Sequence, residues 1–254
     1  MDAVSGRLDV IGLGPGDAAL ITPAAQAALD AAQAIYGYAP YLARLPARPG
    51  HTLHASDNRE ELARAGAALS AAAEGAHVAM VSGGDPGVFA MAAAVCEAIE
   101  HGPPAWRAID LAIHPGITAM LALAARVGAP LGHDFCAISL SDNLKPWPVV
   151  EQRLAAAAQA GFAIALYNPI SRARPWQLGA AFALLAQHLP ETVPVIFGHA
   201  VTRDAERIVI IPLGEAAQQD ANMASCIIIG TRETRIVARP GLAPLAYTPR
   251  SLSA

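Results

Sequence analysis

Two loops rich in glycine and proline, each with one aspartate, are the parts of this sequence best suited to chemistry. The first is Gly12-Leu-Gly-Pro-Gly-Asp17 and the second is Gly83-Gly-Asp-Pro-Gly87. Each follows a short apolar run that predicts a buried strand. Open α/β sheets bind ligands at the carboxyl ends of their strands, and glycine lets a backbone approach a ligand closely. The pair therefore predicts one organised binding site.

The first loop does not fit the dinucleotide-binding fingerprint G-x-G-x-x-G. That pattern needs its third glycine two residues beyond Pro15, whereas Gly16 follows the proline directly. Proline also removes a backbone N–H that a pyrophosphate would use. A phosphate-binding module should carry basic residues in these loops, and neither loop has one. Gly-Pro-Gly-Asp is also a competent turn by itself, which leaves a purely structural role open for the first loop.

Composition predicts a globular chain without nucleic-acid or membrane partners. The 254 residues are 54% hydrophobic and 15% charged, enough for one large or two compact domains. A net charge of −4 argues against nonspecific binding to nucleic acid. Cys96, Cys136 and Cys226 form no CxxC, and no metal-ligand spacing appears, so we expect no metal site. The amino terminus lacks signal-peptide features and no apolar run spans a bilayer, so we expect a cytoplasmic protein.

Strand and helix patterns alternate along the chain, which predicts an α/β fold with a mainly parallel sheet. Thr22 and Pro23 form an N-cap and first position for one helix, and Asp57 with Glu60 is typical of a capping box for another. We expect two domains, 1–115 and 116–254, with the helix from Thr118 as a bridge. The predicted strands are 8–13, 34–38, 77–82, 109–113, 135–140, 163–167, 193–198, 207–212 and 225–230, and the predicted helices 23–34, 57–73, 89–101, 118–127, 149–159 and 176–188.

Three motifs together resemble the tetrapyrrole methylase family. They are Gly12-x-Gly-Pro-Gly-Asp17, Gly83-Gly-Asp-Pro86 and Pro115-Gly-Ile-Thr-Ala119, in this order and at these distances. The resemblance covers essentially the whole chain. It implies two α/β domains with a non-Rossmann site for the methyl donor S-adenosylmethionine between them. The segments Ser139–Trp147 and Tyr167–Arg172 resemble the branch that methylates precorrin-3B at C17, with ring contraction to precorrin-4, in cobalamin biosynthesis.

The resemblance also implies which residues contact the donor. Thr118 alone would be an ordinary helix-start residue, and Met223 alone would more often belong to a core. The implied donor contacts are Pro15, Gly83, Gly84, Asp85, Val88, Thr118, Ala119, Asn168, Ala200, Met223 and Ala224.

The implied substrate is a large macrocycle with many carboxylates, so an acidic chain must gather its cations locally. Guanidinium groups suit carboxylates, although each arginine alone is also explained as a surface residue. Lys145, the only lysine, either pairs with a substrate carboxylate or is solvated. The candidates are Lys145, Arg172, Arg174, Arg203 and Arg232.

Ring contraction needs a proton to leave a hydroxyl and a lactone to open, which favours general acid–base catalysis. Asp17 is the first candidate, because the family places this aspartate facing the tetrapyrrole. A carboxylate that only stabilises the turn explains Asp17 as well. Asp142 and His133 are the next candidates.

Two alternatives are a related precorrin methyltransferase that acts at another ring position and a non-catalytic tetrapyrrole-binding protein. Binding of the product S-adenosylhomocysteine would separate a methylase from a carrier. The family resemblance implies a homodimer, and an apolar, alanine-rich chain has faces to cover.

Overall fold

The computed structural model describes residues 6–46, 50–57, 60–171 and 173–251. The chain divides into two compact units, Met1–Thr118 and Ala119–Ala254, called unit 1 and unit 2 below. The sequence had suggested a division three residues earlier, after residue 115.

Unit 1 is built on a sheet of five strands that are all parallel, in the order β3-β2-β4-β1-β5. Parallel pairing follows from the helical connections between its strands. The strand β3 lies in a segment for which the sequence pattern predicted no element. The strands are β1 (Arg7–Gly12), β2 (Ala34–Tyr38), β3 (Thr52–Ser56), β4 (His77–Ser82) and β5 (Asp110–His114).

Four helices cover the two faces of this sheet, and successive side chains of β1 point to opposite faces. Leu8 and Val10 are buried on one face against α3 and α4, whereas Ile11 and Leu13 are buried on the other face with α1. The predicted cap is confirmed, because the Thr22 hydroxyl accepts a hydrogen bond from the Ala25 N–H. The helices are α1 (Pro23–Ala31), α2 (Ala39–Leu42), α3 (Glu61–Ala73) and α4 (Met91–His101).

Two predicted helix starts are wrong. Helix α3 begins at Glu61 without a side-chain cap from Glu60, and the Asp57 N–H donates to the Glu60 carboxylate at 3.0 Å. Helix α4 begins two residues later than expected, because Phe89 has a φ of +53° and Ala90 is extended. The loop before α4 thereby stays outside the helix.

A buried ionic cluster lies on strand β1. The Asp9 carboxylate is fully buried, and it accepts hydrogen bonds from Arg7 at 2.8 to 3.1 Å. The Nε2 atoms of His77 and His114 lie 2.6 and 2.7 Å from its two oxygens. Burial raises the pKa of Asp9, but the hydrogen bonds from Arg7, His114 and His77 outweigh burial and hold that pKa below its ordinary value. The ionised carboxylate therefore stabilises the fold.

Replacing Asp9 by Asn should lower the free energy of unfolding by about 3 kcal/mol, because Arg7 and both histidines lose their buried anionic partner. Since the folded pKa lies below the unfolded value of about 3.9, the contribution of Asp9 is present above that pH and is lost as the pH falls through the folded pKa. Urea unfolding from pH 7 to pH 3 measures both effects.

The matched control is Asp110→Asn, since Asp110 also pairs with Arg7 but is mostly exposed. An exposed pair contributes little, so this variant should change stability by less than about 1 kcal/mol. Equal effects of the two substitutions would contradict a special role for the buried carboxylate.

Unit 2 contains a mixed sheet of five strands in the order β10-β9-β11-β8-β7. Only β7 and β8 are parallel neighbours, whereas β8 with β11, β11 with β9, and β9 with β10 are antiparallel. The expectation of a mainly parallel sheet is therefore wrong for this half. The strands are β7 (Phe135–Ser139), β8 (Ala163–Tyr167), β9 (Pro194–His199), β10 (Arg207–Pro212) and β11 (Ser225–Ile229).

Three helices and a small second sheet complete unit 2. The helices are α5 (Ala119–Val127), α6 (Trp147–Gln159) and α7 (Gln177–Leu185). The small sheet joins β6 (Gly128–Ala129) to a hairpin of β12 (Arg235–Arg239) and β13 (Leu242–Tyr247), which the sequence pattern did not predict. Within the described residues, no helix is long and apolar enough to span a bilayer.

Candidate functional site

Three loops of unit 1 meet at the carboxyl edge of its sheet, after strands β1, β4 and β5. Gly14 and Gly84 exchange backbone hydrogen bonds of 3.1 and 2.8 Å, which joins the first two loops. One oxygen of Asp85 accepts the Gly116 N–H at 3.0 Å, which joins the third. The three sequence motifs are thereby assembled in one place.

Glycine is required where these loops cross, because their backbones touch. A Cβ added at Gly12 would lie 2.7 Å from the Gly84 carbonyl oxygen and 2.8 Å from the Gly116 nitrogen. A Cβ added at Gly116 would lie only 2.2 Å from the same carbonyl oxygen. Gly12 and Gly116 therefore set the distance between the loops. Their role is to let the loops pack closely, and it does not depend on contact with a ligand.

The residues of unit 1 expected at the donor share this edge. Pro15 and Thr118 are buried, and Val88 is half-buried. A Cβ at Gly84 would lie 3.6 Å from the Cα of Thr118, so the second loop faces the end of the third. The other Asp85 oxygen accepts the Gly87 N–H at 2.8 Å. The Asp85 carboxylate thus orders two loops through backbone N–H groups.

Asp17 is exposed and begins a short 3-10 helix, Ala18–Leu20. Its carboxylate accepts the Ala19 N–H at 2.9 Å, as an N-cap does. The structure therefore shows the turn-stabilising role that the sequence left open. Exposure at the edge where the loops meet also keeps the carboxylate accessible.

Two residues that the sequence did not indicate support this edge. Arg44 donates to the carbonyl oxygens of Leu13 and Gly14 at 2.9 and 3.2 Å, which holds the first loop from behind. The Tyr41 ring occupies the space that a Cβ at Gly83 would need, at 2.8 Å. Both residues lie far along the chain from the loops, in a segment without a recognisable motif, so no local signal identified them.

The second group of expected residues lies at one edge of the unit 2 sheet. Strands β7, β8 and β9 end there and the antiparallel strand β11 begins there. The Asn168 side chain donates to the Ser139 hydroxyl at 2.9 Å, and the Ala200 N–H donates to the Ala224 carbonyl at 3.0 Å. Met223 is 51% exposed, so it does not belong to the core. Ala119 starts helix α5 of the same unit.

Strained backbone is concentrated in the same loops. Asn168 has a φ of +51° and Ala200 a φ of +46°, and both were expected at the donor from the sequence. In the described part of the chain, the other non-glycine residues with positive φ are Phe89, before α4, and Thr202, after β9. Such strain is held in place by the surrounding structure and is common at ligand-binding sites.

Four candidates for the substrate or for catalysis lie in the loops at this edge of unit 2. Arg174 donates to Asp142 at 3.3 Å and also to Asn143, which ties the loop after β8 to the loop after β7. Lys145 lies two residues after Asn143, in the loop after β7, and is half-buried. Arg203 is exposed in the loop after β9.

The structure separates two other candidates from this group. His133 precedes β7, and Arg232 follows β11 and donates to the His188 carbonyl at 2.8 Å. Both line a cavity of about 190 Å³ at the amino ends of β7 and β8. A five-residue strand is about 17 Å long, so His133 does not reach the edge that holds Asp142. His133 and Arg232 therefore do not share the edge that holds Asp142, and their roles stay predictions. Arg172 lies outside the described residues.

The chemistry of the loops in unit 1 suits a cation better than a phosphate. The described loop residues provide small side chains and the carboxylates of Asp17 and Asp85, and they include no lysine or arginine, although Arg44 donates to carbonyl oxygens of the first loop from outside it. A sulfonium group carries a positive charge, so these residues fit S-adenosylmethionine. Within the described residues, no cluster of three or more His, Cys, Asp or Glu side chains is arranged to hold a metal ion.

The fold and these loops define a methylase of tetrapyrroles. Residues 7–217 match the family of Tetrapyrrole (Corrin/Porphyrin) Methylases, and the chain belongs to that family.

The similarity extends to particular members. The chain is 64% identical over 247 residues to the precorrin-3B C(17)-methyltransferase of Sinorhizobium sp, which covers 97% of each chain. The crystal structure of the methyltransferase CobJ is 48% identical with a TM-score of 0.91, over 96% of this chain and 100% of that one. Uroporphyrin-III C-methyl transferase from Thermus thermophilus, complexed with S-adenyl homocysteine, is 22% identical over 89% of this chain and 97% of that one. Its TM-score of 0.68 shows the shared fold alone.

Proposed function

We propose that this chain uses S-adenosylmethionine to methylate precorrin-3B at C17, with ring contraction to precorrin-4, in cobalamin biosynthesis. The observation that carries the proposal is the 64% identity to the Sinorhizobium enzyme over 97% of both chains. The loops at the carboxyl edge of unit 1 support it, because their carboxylates and small residues fit a sulfonium donor and not a nucleotide phosphate.

The proposed division of work follows from what methyl transfer needs. When bound, the donor would supply a methyl group on a sulfonium: an electron-rich ring carbon of the substrate would bond to the methyl carbon in line, while the methyl–sulfur bond breaks and S-adenosylhomocysteine leaves. Such a step gains mainly from position and from exclusion of water. We assign the backbone contacts with the donor to Pro15, Gly83 and Gly84. Thr118, which lies beside Gly84, is assigned the support of these loops. The other donor contacts rest on the family resemblance: Asp85, Val88, Ala119, Asn168, Ala200, Met223 and Ala224.

Ring contraction adds a need for proton movement, for which two carboxylates remain. Asp17 is exposed beside the loops of unit 1, whereas Asp142 is half-buried and paired with Arg174. The Asp142 carboxylate already accepts a hydrogen bond from Arg174 at 3.3 Å, so Asp142 is better suited to hold that guanidinium than to move a proton. Asp17 is therefore our first choice.

A homodimer is a further proposal from the same resemblance, and a cytoplasmic location stays a proposal from the sequence. The β12–β13 hairpin exposes apolar side chains that a second copy could cover, at Ile236, Val237, Leu242 and Leu245. Light scattering at micromolar concentration tests the dimer.

The function is tested by supplying the purified chain with precorrin-3B and isotopically labelled S-adenosylmethionine in the absence of air. NMR should place one labelled methyl group at C17 of a macrocycle whose ring is one carbon smaller, and mass spectrometry should show the gain of that methyl group. S-adenosylhomocysteine at about a hundred times its Kd should add about 2.7 kcal/mol to the free energy of unfolding.

Other outcomes separate the alternatives. A methyl group at another position would identify a related methyltransferase, and macrocycle binding without stabilisation by S-adenosylhomocysteine would identify a carrier. Either result would overturn the proposal.

A further inference from the structure

The single lysine of the chain lies where burial and a neighbouring positive charge disfavour its charged form. Lys145 is half-buried, and burial, together with the charge of nearby Arg153, lowers the pKa of its ammonium group. Within the described part of the chain, no carboxylate is paired with Lys145. Because a desolvated cation beside another cation is stabilised by an anion, an anionic ligand would relieve this arrangement.

A second cation, Arg174, is tied to the loop that carries Lys145, and among the residues that the structure describes part of its guanidinium makes no hydrogen bond. Only Nη1 of Arg174 is engaged, by Asp142 and Asn143. The Arg174 side chain is 18% exposed, and within the described residues its Nε and Nη2 donate no hydrogen bond. Asp142 and Asn143 therefore hold the guanidinium in a fixed orientation, and its other edge can accept a carboxylate.

Apolar surface accompanies the two cations. Leu144, between Asn143 and Lys145, is 94% exposed. Trp176, at the end of the loop that carries Arg174, is 48% exposed and packs edge-on against Trp147, with ring centroids 4.8 Å apart. Cations in loops with exposed apolar side chains suit a ligand that is apolar over its body and anionic at its periphery.

We propose that Lys145 and Arg174 form a carboxylate clamp for the macrocycle, with Leu144 and Trp176 against its apolar body. The identity of the ligand as a tetrapyrrole rests on the proposed function. The clamp itself rests on the geometry of the two loops. Lys145 and Arg174 thereby determine how tightly the substrate binds and how it is oriented, and they take no part in the chemical step.

The test compares Lys145→Gln, Arg174→Gln and the conservative Lys145→Arg with the parent chain. Losing one charged hydrogen bond should raise the KM for precorrin-3B about tenfold with kcat nearly unchanged, and Lys145→Arg should restore it to within about twofold. The matched control is Arg107→Gln in unit 1, where Arg107 donates to the Glu100 carbonyl at 2.8 Å. This control should leave KM unchanged.

A binding measurement separates this inference from the proposed function. Uroporphyrin, whose side chains all end in carboxylates, should bind the parent chain more tightly than coproporphyrin, which has fewer. Lys145→Gln should reduce that preference, and added salt should weaken it. S-adenosylhomocysteine affinity should stay the same in every variant, which excludes misfolding.

Unchanged KM and unchanged porphyrin preference in Lys145→Gln and Arg174→Gln would overturn the clamp while leaving methyl transfer by the parent chain intact. Absence of methyl transfer by the parent chain would instead overturn the proposed function, and the porphyrin preference would still decide the clamp.

Discussion

Replacing Gly116 by Ala is expected to lower the free energy of unfolding by roughly 3 kcal/mol and to weaken S-adenosylhomocysteine binding at least about tenfold. The added Cβ would lie 2.2 Å from the Gly84 carbonyl oxygen and 3.0 Å from the Gly12 backbone. Neither neighbour is a flexible side chain, so the loops themselves must separate. Urea unfolding and calorimetric titration measure the two effects.

Gly179→Ala is the matched control for this substitution. Gly179 lies in helix α7, and a Cβ there would meet nothing within 4 Å. Alanine in an open helical position should raise the free energy of unfolding by about 0.5–1 kcal/mol, so the two variants should differ in sign. Normal stability of Gly116→Ala would show that the loops can rearrange and would remove the packing argument.

For Asp17→Asn we expect a single-turnover rate lower by roughly 10²–10⁴, with S-adenosylhomocysteine affinity nearly unchanged. Asparagine caps a helix about as well as aspartate, so the hydrogen bond to the Ala19 N–H can be kept. The substitution then removes the charge and proton-transfer capacity while the turn persists. Single-turnover kinetics and calorimetric titration on the same variant measure both quantities.

A purely structural Asp17 predicts a different pattern. Asp17→Ala would then lower stability and donor affinity together, while Asp17→Asn would turn over almost normally. That outcome would remove Asp17 from the mechanism and leave Asp142 as the next candidate. His133 would not become a candidate, because it lies at the opposite end of β7 from Asp142.

The chain sequence by itself determined the features that depend on neighbouring residues. Thr22 before Pro23 identified a capped helix, and alternation between short apolar runs and helical patterns identified most strands within a residue or two. Three short motifs around Gly14, Gly84 and Gly116 identified the family and the loops of unit 1. These signals are local, because a cap, a turn and a buried strand each require particular residues at fixed short spacings.

Only the tertiary structure decided which distant segments meet. The mixed sheet of unit 2 arises because β11 lies between β8 and β9 and runs antiparallel to both, an order that strand sequences do not encode. The Asp9 cluster and the support of the first loop by Arg44 join residues from separate elements. Strand order and register set these contacts, and both depend on the packing of the whole unit.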